Sequence, residues 1–330
     1  MKESEWRRQR LLILCYHGVS IEDEHEWRPA LYIRPQQLER RLEILRQGNY
    51  AVLPLGEALE RLYRNDLPPR SVALTFDDGA YDFYSQAFPR LTQYGFPATV
   101  YLTTYYSQLQ RPVFNLICSY LLWKARGQGT ADLGEFGFVR PVDLASSEAR
   151  LAAGNQIWEW ADGRDMSGEQ KNDVAAGLAR QLKIDYQEIV AKRILQIMNQ
   201  REVKELAGAG VDFQLHTHRH RTPPDEGLFR KEICDNRKGI SDAIGGASRH
   251  FCYPSGAYRP DFLQWLAAED VISATTCDTG LATAKSNPLL LPRLVDTTGR
   301  TDLEFESWLS GIGHFLSQRK RGRLANFAAD

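Results

Sequence analysis

Two carboxylates, Asp77 and Asp78, stand side by side before Gly79, at the end of the apolar run Val72-Ala73-Leu74-Thr75-Phe76. Adjacent acids repel, so a strand that ends in such a pair either shares it over a cation or splits it between ionised and protonated roles. A second cluster favours the cation: Val211-Asp212-Phe213-Gln214-Leu215 leads into His216-Thr217-His218-Arg219-His220. Histidines at i and i+4 can converge on one ion where a strand end rolls into a helical turn. Imidazole with carboxylate is the donor set of catalytic zinc, which takes three protein ligands and keeps one position for water. One acid of the pair would then ligate, leaving the other to take a proton from that water. Each cluster alone also reads as a plain surface feature, Asp-Asp-Gly as a turn and the histidines as a solvated loop or incidental metal site. Together they read as a site.

The order of the motifs resembles a known family. Thr75-Phe76-Asp77-Asp78-Gly79 is similar to the first motif of the polysaccharide deacetylases, the NodB-homology or carbohydrate esterase family 4 enzymes, and His216, Thr217 and His220 fit the second, a His-Ser/Thr-x-x-His pattern. Phe251-Cys252-Tyr253-Pro254-Ser255-Gly256 is similar to the third motif, and Leu14-Cys15-Tyr16-His17-Gly18-Val19 resembles the first strand of many members. The resemblance implies an α/β fold, a distorted seven-stranded (β/α) barrel, and metal-dependent hydrolysis of an N-acetyl group on an amino sugar in a polysaccharide, an oligosaccharide or its precursor. It implies Asp78, His216 and His220 as ligands of Zn²⁺ or of Co²⁺, Ni²⁺ or Mn²⁺, with Asp77 as the base. His218, between the two ligands, is a competing candidate. The backbone N–H of Ser255, after Pro254, would meet the oxyanion, with Tyr253 beside it in the substrate site.

Two departures from the family pattern bear on the mechanism. The third motif lacks the arginine that orients the base, and Arg293, in Leu291-Pro292-Arg293, is the candidate substitute. The late histidine that serves as general acid is absent after Leu294-Val295-Asp296, which leaves His17 as its replacement. The alternatives are an amidohydrolase of a non-sugar amide and a carbohydrate-binding barrel of the same fold without turnover.

Around these residues the chain alternates strand-like and helix-like stretches, the pattern of βα units. Strands are expected at residues 11–16, 71–76, 98–103, 211–215, 249–253, 272–276 and 289–294, so the acid, histidine and Pro-Ser-Gly motifs all follow strands, at the rim where parallel α/β barrels gather their chemistry. A single domain over 1–330 is expected, interrupted by a helical insertion at about 105–208 with helices at 116–124, 148–162 and 180–204. The insertion reads as a helical cap on the barrel or, through Tyr105, Tyr106, Phe114, Trp123, Trp158 and Trp160, as the wall of a sugar-binding groove. A C-terminal amphipathic helix is expected over about 301–321, opened by the capping-box pattern Thr301-Asp302-Leu303-Glu304.

Composition bounds the partners. With 43% hydrophobic residues in 330, the chain can bury a large core, and a formal net charge of −1 gives no reason to expect nucleic acid. Five cysteines, odd in number and widely spaced, read as free thiols in a reducing compartment. The charged opening Met1 to Arg10 and the short apolar stretch after it lack the features of a secretory leader, so a cytoplasmic location is expected. The expected partner is an N-acetylated saccharide. The basic end Arg319-Lys320-Arg321-Gly322-Arg323 reads as a solvated tail or as a weak peripheral contact with anionic membrane. Oligomeric state is left open.

Overall fold

The structure is a computed structural model that describes residues 4–315. These divide into two compact units: residues up to Tyr105 together with those from Gln200 onward, and the intervening Tyr106–Asn199.

The first unit is built on seven parallel strands: β1 Arg10–Tyr16, β2 Ser71–Phe76, β3 Thr99–Leu102, β4 Asp212–Leu215, β5 His250–Cys252, β6 Ser273–Thr279 and β7 Leu291–Val295. In space they run β1-β7-β6-β5-β4-β3-β2, and β2 pairs back onto β1 through Leu12↔Val72 to Tyr16↔Phe76, which closes the barrel. Every residue of β2 is buried, as is all of β1 after Arg10. Continuous burial is what a parallel strand covered on both faces requires, and it explains why these segments read as unbroken apolar runs rather than alternating ones.

Helices α1 Pro35–Gln47, α2 Leu55–Arg64, α3 Phe88–Tyr94, α4 Gln200–Gly208, α5 Glu226–Ile244, α6 Pro260–Ala268 and α7 Asp302–Ser310 belong to this unit. In α2, Leu55, Leu59 and Leu62 recur at helical spacing and pack with Leu11, Ile13, Ala73 and Leu291 of the barrel. The α5 helix starts where the Asp225 side chain accepts the Leu228 N–H at 2.8 Å. A π-helical segment, Phe83–Ala87, follows the acid motif, and such segments concentrate near functional sites.

The second unit holds helices Phe114–Lys124, Ser147–Asp162, Gly168–Gln181 and Tyr186–Ala191, with a two-stranded antiparallel ribbon, Thr130–Ala131 against Val142–Asp143. Several aromatic residues expected to line a groove are engaged inside this unit. Trp123 stacks on Tyr120 with ring centroids 5.9 Å apart, Trp160 meets Phe136 edge-on at 6.1 Å, and Phe114 is buried.

Two helix expectations need correction. The helix read across 180–204 is three pieces: Gly168–Gln181 ends, Lys183 takes a left-handed φ of 56°, the Asp185 side chain caps a new start, and α4 begins only at Gln200 after further left-handed residues at Arg193 and Leu195. The C-terminal helix does open with the Thr301–Glu304 capping box, but α7 stops at Ser310, because Gly311 enters left-handed backbone at φ 88°. The rest of the expected helix beyond residue 315, and the basic residues Arg319, Lys320, Arg321 and Arg323, lie outside the described residues.

Candidate active site

The turns after β1, β2, β4 and β5 and the inner face of β7 bring the site together. Immediately beyond β2, Asp77 is 2% exposed, and Asp78 turns into left-handed backbone at φ 69°. The Asp78 carbonyl is held by the N–H and the hydroxyl of Thr103, at 3.1 and 3.0 Å. Gly79 follows at φ 78°, the left-handed backbone that favours glycine, and a Cβ there would force the Leu102 side chain, whose Cδ1 would stand 2.3 Å away, to shift. Beyond β4, Thr217 and His220 take left-handed φ values of 60° and 54°, and Ser255 after β5 does the same at 57°. Such backbone costs on the order of 1–3 kcal/mol per residue, most for a β-branched threonine. Strain is therefore gathered in three of the turns that carry candidate site residues.

Asp78, His216 and His220 converge. Asp78 Oδ1 lies 3.2 Å from His216 Nε2 and 3.2 Å from His220 Nε2. His216 Nδ1 is 2.9 Å from the Cys252 carbonyl, which can only accept, so Nδ1 carries the proton and Nε2 turns a lone pair towards the carboxylate. Asp78 Oδ1 is shut off from solvent without a hydrogen-bond partner. With both Nε2 atoms unprotonated, the facing lone pairs are the donor set of a divalent cation, and these three residues fit one. Burial works against charge on His216, yet the surrounding Cys252 and Asp78 raise its pKa above the usual imidazole range, so a positive charge is favoured at this spot, either a second proton on Nε2 or an ion in its place. His218, the competing ligand, stands apart from this cluster, its Nδ1 2.8 Å from Thr104 Oγ1.

Asp77 sits in a second arrangement. Arg293, fully buried on β7, grips it in a fork: Nη1 donates to Oδ1 and Nη2 to Oδ2, each at 2.7 Å. Burial pushes the Asp77 carboxyl up, but the Arg293 guanidinium more than reverses this and holds it far below the ordinary carboxylate range. The guanidinium is itself fixed by donating to the Thr276 carbonyl at 3.0 Å and to Thr75 Oγ1 at 3.2 Å. The arginine that holds Asp77 thus comes from β7, two strands away from the third motif. Cys252 stands in that motif, and its Sγ lies 3.0 Å from Arg293 Nη2 and 3.4 Å from Asp77 Oδ2, so a small side chain there leaves room for the guanidinium. His17 Nε2 is 3.6 Å from Asp77 Oδ2, at the same rim.

The two remaining expected residues have different surroundings. Tyr253 is fully buried and its hydroxyl donates to the Leu289 carbonyl at 3.1 Å, so it braces the turn instead of offering that group to a ligand. Ser255 is exposed at the turn, where Gly256 follows in left-handed backbone against Cys277. Sequence reasoning treated the cysteines as small hydrophobes and missed that Cys15 Sγ, 3.6 Å from Asp77 Oδ2, and Cys252 both press on the buried carboxylate. The available signal was position: Cys15 lies two residues before His17 on the same strand face, and Cys252 ends β5.

A parallel barrel with an Asp-Asp turn and a two-histidine loop at its C-terminal rim defines a class, the NodB-type deacetylase barrels. The sequence matches the polysaccharide deacetylase family over residues 64–119 and 181–271, which hold the acid and histidine motifs. It is 30% identical over 100 residues to the poly-beta-1,6-N-acetyl-D-glucosamine N-deacetylase of Escherichia coli (strain K12), covering 30% of this chain and 14% of that one. Across the curated relatives, the match takes in from 14% to 32% of their length. The Streptococcus pyogenes deacetylase PplD, solved in complex with acetate, superposes with a TM-score of 0.57 at 20% identity over 88% of this chain and 93% of that one. IcaB from Ammonifex degensii does so with a TM-score of 0.56 at 17% identity over 92% and 97%. At these identities the structural likeness speaks for the fold.

Proposed function

We propose that the protein removes N-acetyl groups from an amino sugar in a polysaccharide, an oligosaccharide or its precursor, using a divalent metal ion. The observation that carries this reading is the triangle of Asp78 Oδ1 with His216 Nε2 and His220 Nε2, set one residue from the Asp77–Arg293 pair. Asp78, His216 and His220 would hold the ion, which would supply Lewis-acid polarisation of the acetyl carbonyl and lower the pKa of the attacking water; zinc suits the mixed imidazole and carboxylate donors, as do cobalt and nickel.

The other steps fall to the chain itself. Arg293 fixes both oxygens of Asp77 and keeps it ionised, so a proton acceptor is always present beside the ligands. A carboxylate held so low is a weak base, and it accepts a proton only from a water already acidified. His17, within 3.6 Å of the same carboxylate, donates a proton to the departing amine nitrogen, and the Ser255 N–H meets the oxyanion. All five cysteines are free, which supports a reducing compartment and, with it, a cytoplasmic enzyme acting on precursors or short oligosaccharides.

The test is acetate release from β-1,6-linked N-acetylglucosamine oligomers, other N-acetylated saccharides and simple N-acetyl amides, by protein loaded with Zn²⁺ or Co²⁺. Asp77→Asn is the control, and its turnover should fall by about 10²- to 10⁴-fold with metal still bound. Cleavage of simple amides with no saccharide hydrolysed would refute the sugar assignment.

A further inference from the structure

Residues 216–221 must hold two imidazoles on one carboxylate oxygen while Thr217 and His220 occupy left-handed backbone. The segment contains no glycine and threonine is β-branched; inside it Thr217 Oγ1 accepts the Arg221 N–H at 3.0 Å, and helix α5 takes up other backbone groups. Glu232, 2% exposed, accepts the Arg219 N–H at 2.8 Å through Oε2, and through Oε1 it accepts Arg219 Nη1 at 3.1 Å and Arg221 Nε at 2.9 Å. The Glu232 carbonyl accepts the His218 N–H at 3.1 Å. One helical turn on, the fully buried Asn236 accepts the His216 N–H at 2.9 Å and donates to the Leu102 carbonyl and Thr104 Oγ1 at 2.9 and 3.1 Å.

Glu232 and Asn236 share a helix face, and Gly239 extends it towards the end of β3. A Cβ on Gly239 would stand 2.8 Å from Thr104 Cβ, so the glycine lets α5 lie close enough for Asn236 to reach the strand end and the histidine loop together. Neither acid nor amide touches the candidate ligand atoms: Glu232 is satisfied by the Arg219 N–H and the Arg219 and Arg221 guanidinium groups, and Asn236 by the His216 N–H and the end of β3.

We propose that Glu232 and Asn236, on the close-lying face of α5, are positioning residues that set the divalent-ion affinity of Asp78, His216 and His220. The inference rests on the metal reading above. An ion that meets preset imidazoles has no loop to order, whereas a loop relaxed into right-handed backbone has to be re-formed on binding, and the cost appears as lost affinity.

The experiment uses the full chain stripped of metal and titrated with Zn²⁺ against a chromophoric chelator at 25 °C, with folding followed by near-UV circular dichroism. Glu232→Gln keeps the shape but puts a donor among donors, and Zn²⁺ affinity should fall about 10- to 100-fold. Gly239→Ala removes no polar group and improves helix propensity, yet it displaces α5 and should weaken Zn²⁺ in the same direction. A purely structural role predicts lower melting temperatures for the metal-free and zinc-loaded forms alike, with affinity unchanged while both stay folded. Unchanged affinity in folded Glu232→Gln overturns the proposal, and if that variant fails to fold, unchanged affinity in Gly239→Ala does so. No Zn²⁺ binding by the unsubstituted protein overturns the ligand reading, and this proposal with it.

Discussion

Replacing Arg293 by methionine removes the guanidinium fork from Asp77 and leaves a carboxylate 2% exposed with no fixed positive charge against it, only the His17 and His216 imidazoles nearby. The chain's escape is to bind a proton, and that caps the penalty. A carboxyl that ionises near 3.9 when unfolded costs about 1.4 kcal/mol per pH unit to keep neutral, so the cap is about 4 kcal/mol at pH 7 and about 1.5 kcal/mol at pH 5. The sign follows from the directions of the shifts. In the unsubstituted protein Asp77 is depressed, so its stabilisation is present above the unfolded pKa and is lost only as the pH falls through the lower folded value. It contributes no slope between pH 5 and 7. In Arg293→Met the largest pull downward is gone and burial, the largest influence on this group, raises the pKa against the weaker pull of His17 and His216, so the stability gap between the two proteins should narrow on acidification across that range. The assay is urea unfolding at both pH values in excess chelator, which keeps metal ligation out of the comparison. At pH 7 the loss corresponds to on the order of 10 °C in melting temperature. Arg293→Met with Asp77→Asn should regain most of it, because no buried charge remains. A gap of equal size at pH 5 and pH 7, or a double variant no more stable than the single one, would refute the argument.

His220→Ala should cut bound zinc and abolish the rise in melting temperature that zinc gives, since an ion that binds only the folded state stabilises it; full zinc occupancy by elemental analysis would remove His220 from the ligand set. His17→Ala should keep fold and metal but lose the alkaline limb of the pH–rate profile, because a general acid has to be protonated to act; an unchanged limb would assign the proton to another donor.

The parts of the site that were legible in the sequence are those in which chemistry and backbone direction are local. Asp77 and Asp78 end a buried strand, and His216 and His220 lie four residues apart on one turn, so short motifs captured both. Buried parallel strands show as unbroken apolar runs, and the seven expected stretches coincide with β1 to β7. The grip of Arg293 on Asp77 was only suspected, because it spans 216 positions, and an arginine between Pro292 and Leu294 does not say which carboxylate it meets. Glu232 and Asn236 were not legible at all, since in an amphipathic helix a buried acid looks like any polar residue at the edge of the apolar face. The misread helix across 180–204 is instructive, because apolar spacing continued through the breaks while Asp185, three residues before Glu188, already carried a helix-start pattern.

The closure of the barrel also dictates an order of assembly. β1 pairs with β2 early in the chain, but its other parallel neighbour, β7, lies near the opposite end, and the same strand delivers Arg293. During synthesis Asp77 and the histidine loop leave the ribosome well before the guanidinium that neutralises the carboxylate. Until β7 inserts, β1 and β6 lack their shared neighbour and Asp77 has to stay hydrated or protonated. The candidate site is therefore complete only when the last staves of the barrel lock into place, a step of long sequence separation of the kind that slows folding.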